Sequence, residues 1–185
     1  MSTALQNFSQ HFQVSWMTLL VGWRGFGHLR RLVTISDIAQ FSLARLEATP
    51  ESNSKLADLA TISESDSSRV DSRLAGLASP SANDYETEVR KWVVCLLKKK
   101  LEQLPNDPVY GLLQLTEFWA DLDFPEYSPH QVQGKGNTLS AAEYYTQQNY
   151  AKALTSHKKW IEQELLRLSR EHEAGGRPLT HSGDH

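Results

Sequence analysis

The residues best suited to chemistry are carboxylates and a histidine in residues 118–137, which read FWADLDFPEYSPHQVQGKGN. Hard divalent cations bind carboxylate oxygens and imidazole suits transition metals, so this segment could form a metal site. Its candidate ligands are Asp121, Asp123, Glu126 and His130. Their spacing lacks the regular oxygen ligands and glycine turn of a calcium-binding loop, and the segment holds one histidine where a zinc protease needs two. We therefore expect no metal and no cofactor.

Catalysis by these carboxylates would require the protein to shift the pKa of one of them, and the sequence gives no sign of such a shift. The only cysteine, Cys95, lies in an apolar run that predicts a buried and unreactive thiol. No serine lies in a Gly-x-Ser-x-Gly turn. We therefore expect that the protein has no catalytic residues and is not an enzyme.

A second candidate is a basic segment, residues 22–31, with the sequence GWRGFGHLRR. Its glycines do not follow the spacing of a phosphate-binding loop, and no strand is predicted before them. Its basic residues could contact RNA phosphates; they are Arg24, His28, Arg30 and Arg31. An RNA-binding factor, or an enzyme, that uses this basic loop from Arg24 to Arg31 is therefore the alternative function. A net charge of -3 lacks the basic excess of a general nucleic-acid binder, so nucleic acid is not the expected partner.

Acidic residues are concentrated in two stretches of the chain. Between Leu101 and Gly134 there are six acids and no lysine or arginine, and the stretch from Glu47 to Ser68 has five acids and one lysine. If the two stretches share one face, they would attract a basic partner and raise its association rate. Protein binding is therefore the function that the charge pattern favours.

Aromatic side chains accompany the acids and could anchor such an interface. Trp119 continues an apolar helical stripe and is predicted to face the core. Tyr127 lies between Glu126 and Ser128, close to two prolines, and is predicted to be exposed. The predicted partner-binding residues are Glu117, Asp121, Asp123, Glu126 and Tyr127. The acids would pair with basic groups of the partner, and the tyrosine would fill a pocket.

Helices must position these residues, because apolar residues recur at helical spacing and no strand-like alternation of useful length occurs. The pattern predicts helices over residues 14–24, 38–46, 52–63, 65–79, 83–104, 108–119 and 140–168. The segment 83–104 is predicted to be the central helix. The fold class is all-α, with helical hairpins packed as a bundle or as a short solenoid-like stack.

Capping and helix-breaking residues set the predicted helix ends. The glycines at positions 22, 25 and 27 end the first helix, and Ser36 and Asp37 cap the second. Pro50 marks the break after the second helix. Two pairs have the spacing of a capping box, namely Asn83 with Glu86 and Ser140 with Glu143.

Length and composition indicate one soluble domain. A chain of 185 residues with 39% hydrophobic residues is long enough to bury one sizeable core. Residues 1–170 are predicted to form this domain, and residues 171–185, which have little to bury, a flexible C-terminal tail. The chain shows no secretory signal and no apolar segment of the roughly 18 to 20 residues that cross a membrane. We therefore expect a cytoplasmic protein with no membrane partner.

The order of motifs along the chain resembles an uncharacterised bacterial domain family over residues 14–168. The motifs are SWMTLLVGW, ISDIAQFSLARL, VRKWVVCLLKKKL, DPVYGLLQLTEFW, FPEYSPH, NTLSAAEYYTQQNY and HKKWIEQEL. The resemblance implies a cytosolic immunity protein of a polymorphic or contact-dependent toxin system. Its partner would be a basic toxin domain, such as a nuclease, whose active site it blocks. A structural subunit of a larger assembly, which would expose a broad apolar face, is a third interpretation.

Overall fold

The computed structural model describes residues 1–48, 54–63, 66–78, 82–135 and 138–175. Within these ranges the chain forms nine helices and no strand, which confirms the all-α prediction. The helices are α1 (Thr3–Ser9), α2 (Trp16–Arg24), α3 (Ile35–Ala48), α4 (Ser54–Ala60), α5 (Ser67–Ala78), α6 (Ala82–Gln103), α7 (Pro108–Ala120), α8 (Ala141–Tyr144) and α9 (Gln147–Gly175). Pro50, the predicted break after α3, lies outside the described residues.

Helix α6 lies at the centre of the fold, as its apolar pattern predicts. Trp92 and Cys95 pack into one cluster of buried side chains, which they share with α1 to α5. Val93 and Leu97 point into a second cluster, which is completed by α7, α8 and α9. All four side chains are fully buried. The two clusters therefore divide the core into two halves, with α6 contributing to both.

Helix α2 ends later than the first of its glycines suggests. Gly22 lies inside the helix, where a Cβ atom would come within 2.9 Å of Trp92 and 2.8 Å of Val33, so a larger residue would not fit. Gly25, with φ of 71°, caps the helix by donating its N–H to the carbonyl of Val21. Gly22 therefore serves close packing, and Gly25 provides the positive φ that ends the helix.

Helix α3 is capped by Thr34, and the prediction of Ser36 and Asp37 as caps before the helix is wrong. The Asp37 N–H donates to Thr34 Oγ1 over 3.1 Å, and the Thr34 N–H donates to Asp37 Oδ2 over 2.8 Å. This reciprocal pair satisfies two backbone donors at the start of the helix. The buried Asp37 carboxylate also accepts the N–H of Ser2, the cap of the unpredicted helix α1. Asp37 therefore ties α1 to α3.

The predicted cap Asn83 lies one residue inside α6, which begins at Ala82. The predicted helix over residues 140–168 is instead two helices. Ser140 and Glu143 form the expected capping box at the start of α8, with the Ser140 N–H donating to Glu143 Oε2 over 2.9 Å. The chain then turns after Tyr144, and α9 begins at Gln147.

Helix α9 continues to Gly175, so the first five residues of the predicted tail, 171–175, are helical. Residues 176–185 of that tail lie outside the described residues.

Helix α7 begins as its sequence predicts and is held closely against α9. Asp107 caps the helix by accepting the N–H groups of Val109 and Tyr110, and Pro108 occupies the first turn. A Cβ atom on Gly111 would lie 2.3 Å from the ring of Tyr150 on α9. The Tyr150 hydroxyl donates to the Pro105 carbonyl over 2.7 Å. This contact fixes the position of α7 relative to α9.

Candidate functional site

The predicted acidic residues lie on the last turn of α7 and on the segment 121–130, which we call the acidic loop. Glu117, Asp121, Asp123 and Glu126 are all exposed, as expected. Four carboxylates are therefore presented to solvent on one short segment.

The backbone of the acidic loop is fixed by hydrogen bonds to the end of α7. The N–H groups of Leu122 and Phe124 both donate to the carbonyl of Trp119, over 3.2 and 2.9 Å. Asp123 and Phe124 have positive φ angles of 58° and 47°. A bulky side chain at positive φ costs free energy and persists only where its surroundings enforce it. The loop therefore has a defined conformation that includes local backbone strain.

The inner side of the acidic loop packs on aromatic residues of α7 and α9. The ring of Tyr127 stacks on that of Trp160, with centroids 6.0 Å apart and planes inclined by 16°. Trp119 is fully buried, as predicted, and meets both rings edge-on. Burial raises the pKa of the Tyr127 hydroxyl, against the opposing effect of the Arg90 cation. Tyr127 is half-buried in the core, so the prediction of an exposed side chain is wrong.

An ion-pair network formed by α6 and α9 packs against the ring of Tyr127. Arg90 on α6 lies over the Tyr127 ring, with its guanidinium carbon 4.1 Å from the ring centroid. Its Nη1 also donates to Glu164 Oε1 on α9 over 2.8 Å. Glu164 in turn accepts from Arg167 over 3.0 Å. Because Glu164 is largely buried, the two arginines compensate a charge that would otherwise be costly inside the protein.

Two buried histidines lie beneath the same segment. His157 is fully buried; its Nε2 accepts from Trp119 Nε1 over 2.9 Å, which requires its Nδ1 to donate to the carbonyl of Ala153. His130 Nε2 lies 2.8 Å from Thr116 Oγ1, and the buried His130 Nδ1 has no hydrogen-bond partner among the described residues. Burial lowers the pKa of His130 to about 4, and the neighbouring His157 adds to this shift. Both imidazoles are therefore neutral at neutral pH.

The four candidate metal ligands do not lie together in the structure. His130 is turned into the core against Thr116, whereas Asp121, Asp123 and Glu126 point to solvent. Within the described ranges, no three histidine, cysteine or acidic side chains lie close enough to hold a metal ion. Cys95 is buried, and desolvation raises the pKa of its thiol to about 12, so it is protonated at neutral pH.

The basic loop contacts the acidic loop directly, a proximity that the sequence does not reveal. The His28 N–H donates to the Asp121 carbonyl over 2.6 Å, and His28 Nε2 lies 3.0 Å from Asp123 Oδ1. Gly27, with φ of 55°, makes this approach possible, because a Cβ atom there would lie 2.4 Å from the Asp121 carbonyl oxygen. The two candidate regions therefore belong to one surface.

Two arginines of the basic loop are engaged within the fold. Arg24 forms two hydrogen bonds with the Asp71 carboxylate on α5, over 2.7 and 2.9 Å, and this pairing lowers the pKa of Asp71. The guanidinium of Arg31 lies 3.7 Å from the ring centroid of Trp23. RNA binding through these two side chains would have to compete with those contacts.

The second acidic stretch is placed in the other half of the protein. Asp58 on α4 pairs with Arg73 on α5 over 2.7 Å, and Leu59 of α4 belongs to the first core cluster. The acidic loop packs instead on the second cluster, through Leu122 and Tyr127. Glu51 and Glu64 of this stretch lie outside the described residues.

A cavity of about 470 Å³ opens between residues 11–15 and α9. Its apolar lining includes Phe12 and Leu168, and its polar lining includes Arg45 and Lys91. Lys91 is already paired with the buried Glu88 over 2.9 Å. None of the lining residues belongs to the acidic loop, so a ligand in this cavity would not contact the predicted partner-binding residues.

No helix in the described part of the chain is long and apolar enough to cross a membrane. Comparison with curated proteins and with solved structures gave no significant match. Residues 5–165 match DUF2247, a family described as an uncharacterized protein conserved in bacteria. This match covers most of the chain and includes residues 5–9 of α1, which precede the segment 14–168 on which the resemblance was based. The chain therefore belongs to the conserved bacterial family DUF2247.

Proposed function

We propose that this protein is a cytosolic immunity protein, which neutralises a cognate bacterial toxin by covering the active site of the toxin with its acidic loop. The observation that supports this proposal is the exposure of four carboxylates on a backbone of defined conformation. Charges that are already in place lose little conformational entropy when a partner binds. The acidic loop is therefore suited to rapid and specific recognition of a basic surface.

The expected partner is a basic toxin domain such as a nuclease. A nuclease active site carries positive charge because it binds phosphates, and an acidic protein can occupy it in place of the nucleic acid. Occlusion of this kind requires a stable scaffold and a complementary surface, and no nucleophile, metal or cofactor. The aromatic layer formed by Trp119, Tyr127 and Trp160 provides the rigid support that such a surface needs.

Neutralising Glu117 together with two carboxylates of the acidic loop should weaken partner binding without unfolding the protein. In the variant Glu117→Gln, Asp121→Asn, Glu126→Gln, we expect affinity for the partner to fall at least about tenfold at low salt, with a flatter salt dependence. The matched control, Glu47→Gln, Glu102→Gln, Glu162→Gln, changes three exposed acids elsewhere and should bind like the wild type. Asp123 is left unchanged because it also contacts His28. Equal losses in both triple variants would point to net charge and not to the acidic loop.

The function is tested by capture followed by neutralisation. The full chain is used as bait in a lysate of its source at about 50 mM and about 500 mM salt, and bound proteins are identified by mass spectrometry. The captured protein is then expressed in a heterologous host, where it should arrest growth unless this chain is co-expressed. Co-expression of the triple variant should restore growth less well than the control. A captured protein that is harmless alone contradicts the immunity function, and salt-sensitive recovery of RNA favours the alternative that uses the basic loop.

A further inference from the structure

The outer face of α7 exposes large apolar side chains to solvent. Tyr110 is 65% exposed, and Val109 and Leu113 are each 39% exposed. On the opposite face of the same helix, Leu112 and Leu115 are buried in the second core cluster. The exposed residues therefore form an apolar patch outside the core.

This apolar patch is continuous with the acidic residues. Successive residues of an α-helix are rotated by about 100° and rise by 1.5 Å, so Tyr110, Glu117 and Asp121 fall in one line roughly 16 Å long. Leu113 lies beside this line, within about 60° of Tyr110. Asp121, the residue after the helix, keeps helical dihedral angles of −60° and −18°. The outer face of α7 thus passes from apolar at its start to acidic at its end.

We infer that this outer face of α7 is the apolar half of an interface whose acidic half is the acidic loop, and that its occupant is a basic protein domain with an apolar pocket beside its cationic surface. The inference rests on the proposed function and identifies the anchor of the same site. Tyrosine is enriched at the energetic centres of interfaces because its ring buries a large area with few rotatable bonds. Tyr110 takes the anchoring role that the sequence assigned to Tyr127.

The negative charge of Glu117 and Asp121 determines which kind of protein can bind the outer face of α7. Two copies of this chain facing each other through α7 would bring Glu117 and Asp121 close to the same carboxylates of the other copy if the helices were parallel, or against its apolar residues if they were antiparallel. Both arrangements disfavour a homodimer. A basic domain would meet these carboxylates with opposite charge. The face of one helix is also smaller than the roughly 800 Å² that each partner buries in a typical stable interface. The partner must therefore cover the acidic loop as well as α7.

The helix is positioned to act as a rigid anchor. The close contact of Gly111 with Tyr150 holds α7 against α9 from the inner side, and the Asp107 cap fixes its first turn. Tyr110 and Leu113 therefore project from a supported backbone, so binding costs mainly the ordering of their own side chains.

The inference is tested by photo-crosslinking the full chain. A benzophenone amino acid is placed at Tyr110, or as a control at Leu43 on α3, which is 51% exposed. After irradiation in source cells, we expect a covalent adduct with a basic protein from position 110 and none from position 43. Light scattering of the purified chain should show a monomer. An adduct between two copies, a dimer in solution, or no adduct from position 110 would overturn the inference.

Substitutions then measure the contribution of the apolar half. The variant Tyr110→Ser, Leu113→Ser should lose at least about 30-fold in affinity for the crosslinked protein, while Leu43→Ser, Leu166→Ser, which alters two other exposed leucines, should lose less than about threefold. Loss of affinity only in the acidic variant Glu117→Gln, Asp121→Asn, Glu126→Gln would leave the proposed function standing and remove Tyr110 and Leu113 from the interface. Loss in the α7 variant with a partner that is not toxic would leave the interface standing and remove the immunity function.

Discussion

Replacing Gly111 by alanine should lower the free energy of unfolding by about 2 kcal/mol and the Tm by roughly 5 °C. Alanine normally stabilises a helix relative to glycine, by about 0.5–1 kcal/mol. At position 111 the added methyl group would lie 2.3 Å from the Tyr150 ring, and Tyr150 is itself held by its hydrogen bond to the Pro105 carbonyl. The steric cost therefore exceeds the gain in helix propensity. Urea and thermal unfolding monitored by circular dichroism measure both quantities.

Gly76 provides the matched control for this prediction. It lies in α5 and is exposed, and among the described residues a Cβ atom there would meet only Lys55 Nζ, at 4.0 Å. Gly76→Ala should therefore stabilise the protein by about 0.5–1 kcal/mol. A double-mutant cycle identifies the cause at position 111, because Gly111→Ala should cost little in the Tyr150→Ala background. If Gly111→Ala cost the same in both backgrounds, the contact with Tyr150 would not be its origin.

Helix positions were predictable where apolar periodicity is strong, and less so where non-local contacts decide. The pattern around Trp92 and Val93 predicted a central helix because residues on both sides of it are apolar. Helix α1 has seven residues, too few for a clear period. The turn after Tyr144 interrupts a sequence that remains helix-compatible, so the pattern gave no reason to divide it.

Among the predicted partner-binding residues, exposure was predicted correctly for the four acids and incorrectly for Tyr127. Exposure of the four acids follows from the free-energy cost of removing a carboxylate from water, which can be anticipated from residue type alone. Tyr127 has polar neighbours in sequence, but its environment is set by Trp160 and Arg90, which lie on other helices. The contact between His28 and Asp123 is equally invisible before folding. The exposure of Tyr110 could have been predicted from the sequence, because this residue lies two helical turns before Glu117 on the face away from the apolar stripe.

The stability of this protein should also depend steeply on pH through His130, the buried histidine that ends the acidic loop. His130 is neutral in the folded protein, because burial together with the nearby His157 lowers its pKa to about 4. A proton added at Nδ1 would find no hydrogen-bond acceptor among the described residues. In the unfolded chain the pKa of a histidine is about 6.5. The unfolded state therefore binds a proton first as pH falls. The free energy of unfolding therefore has its full value, as far as His130 is concerned, above pH 6.5, and it falls as the pH decreases toward 4.

We expect the free energy of unfolding to fall by about 2 kcal/mol between pH 7.5 and pH 5 because of His130 alone. Burial also lowers the pKa of His157, which adds a loss of the same sign. Urea unfolding at intervals of pH measures the slope.

The variant His130→Gln separates His130 from other causes, because its amide can still donate to Thr116 Oγ1 but does not titrate in this range. The slope between pH 7.5 and pH 5 should become shallower, with His157 responsible for the remainder. An unchanged slope in His130→Gln would place the proton uptake elsewhere. A shallower slope would instead show that His130 takes up a proton when the protein unfolds, so that the folded state, in which His130 ends the acidic loop, favours a neutral imidazole.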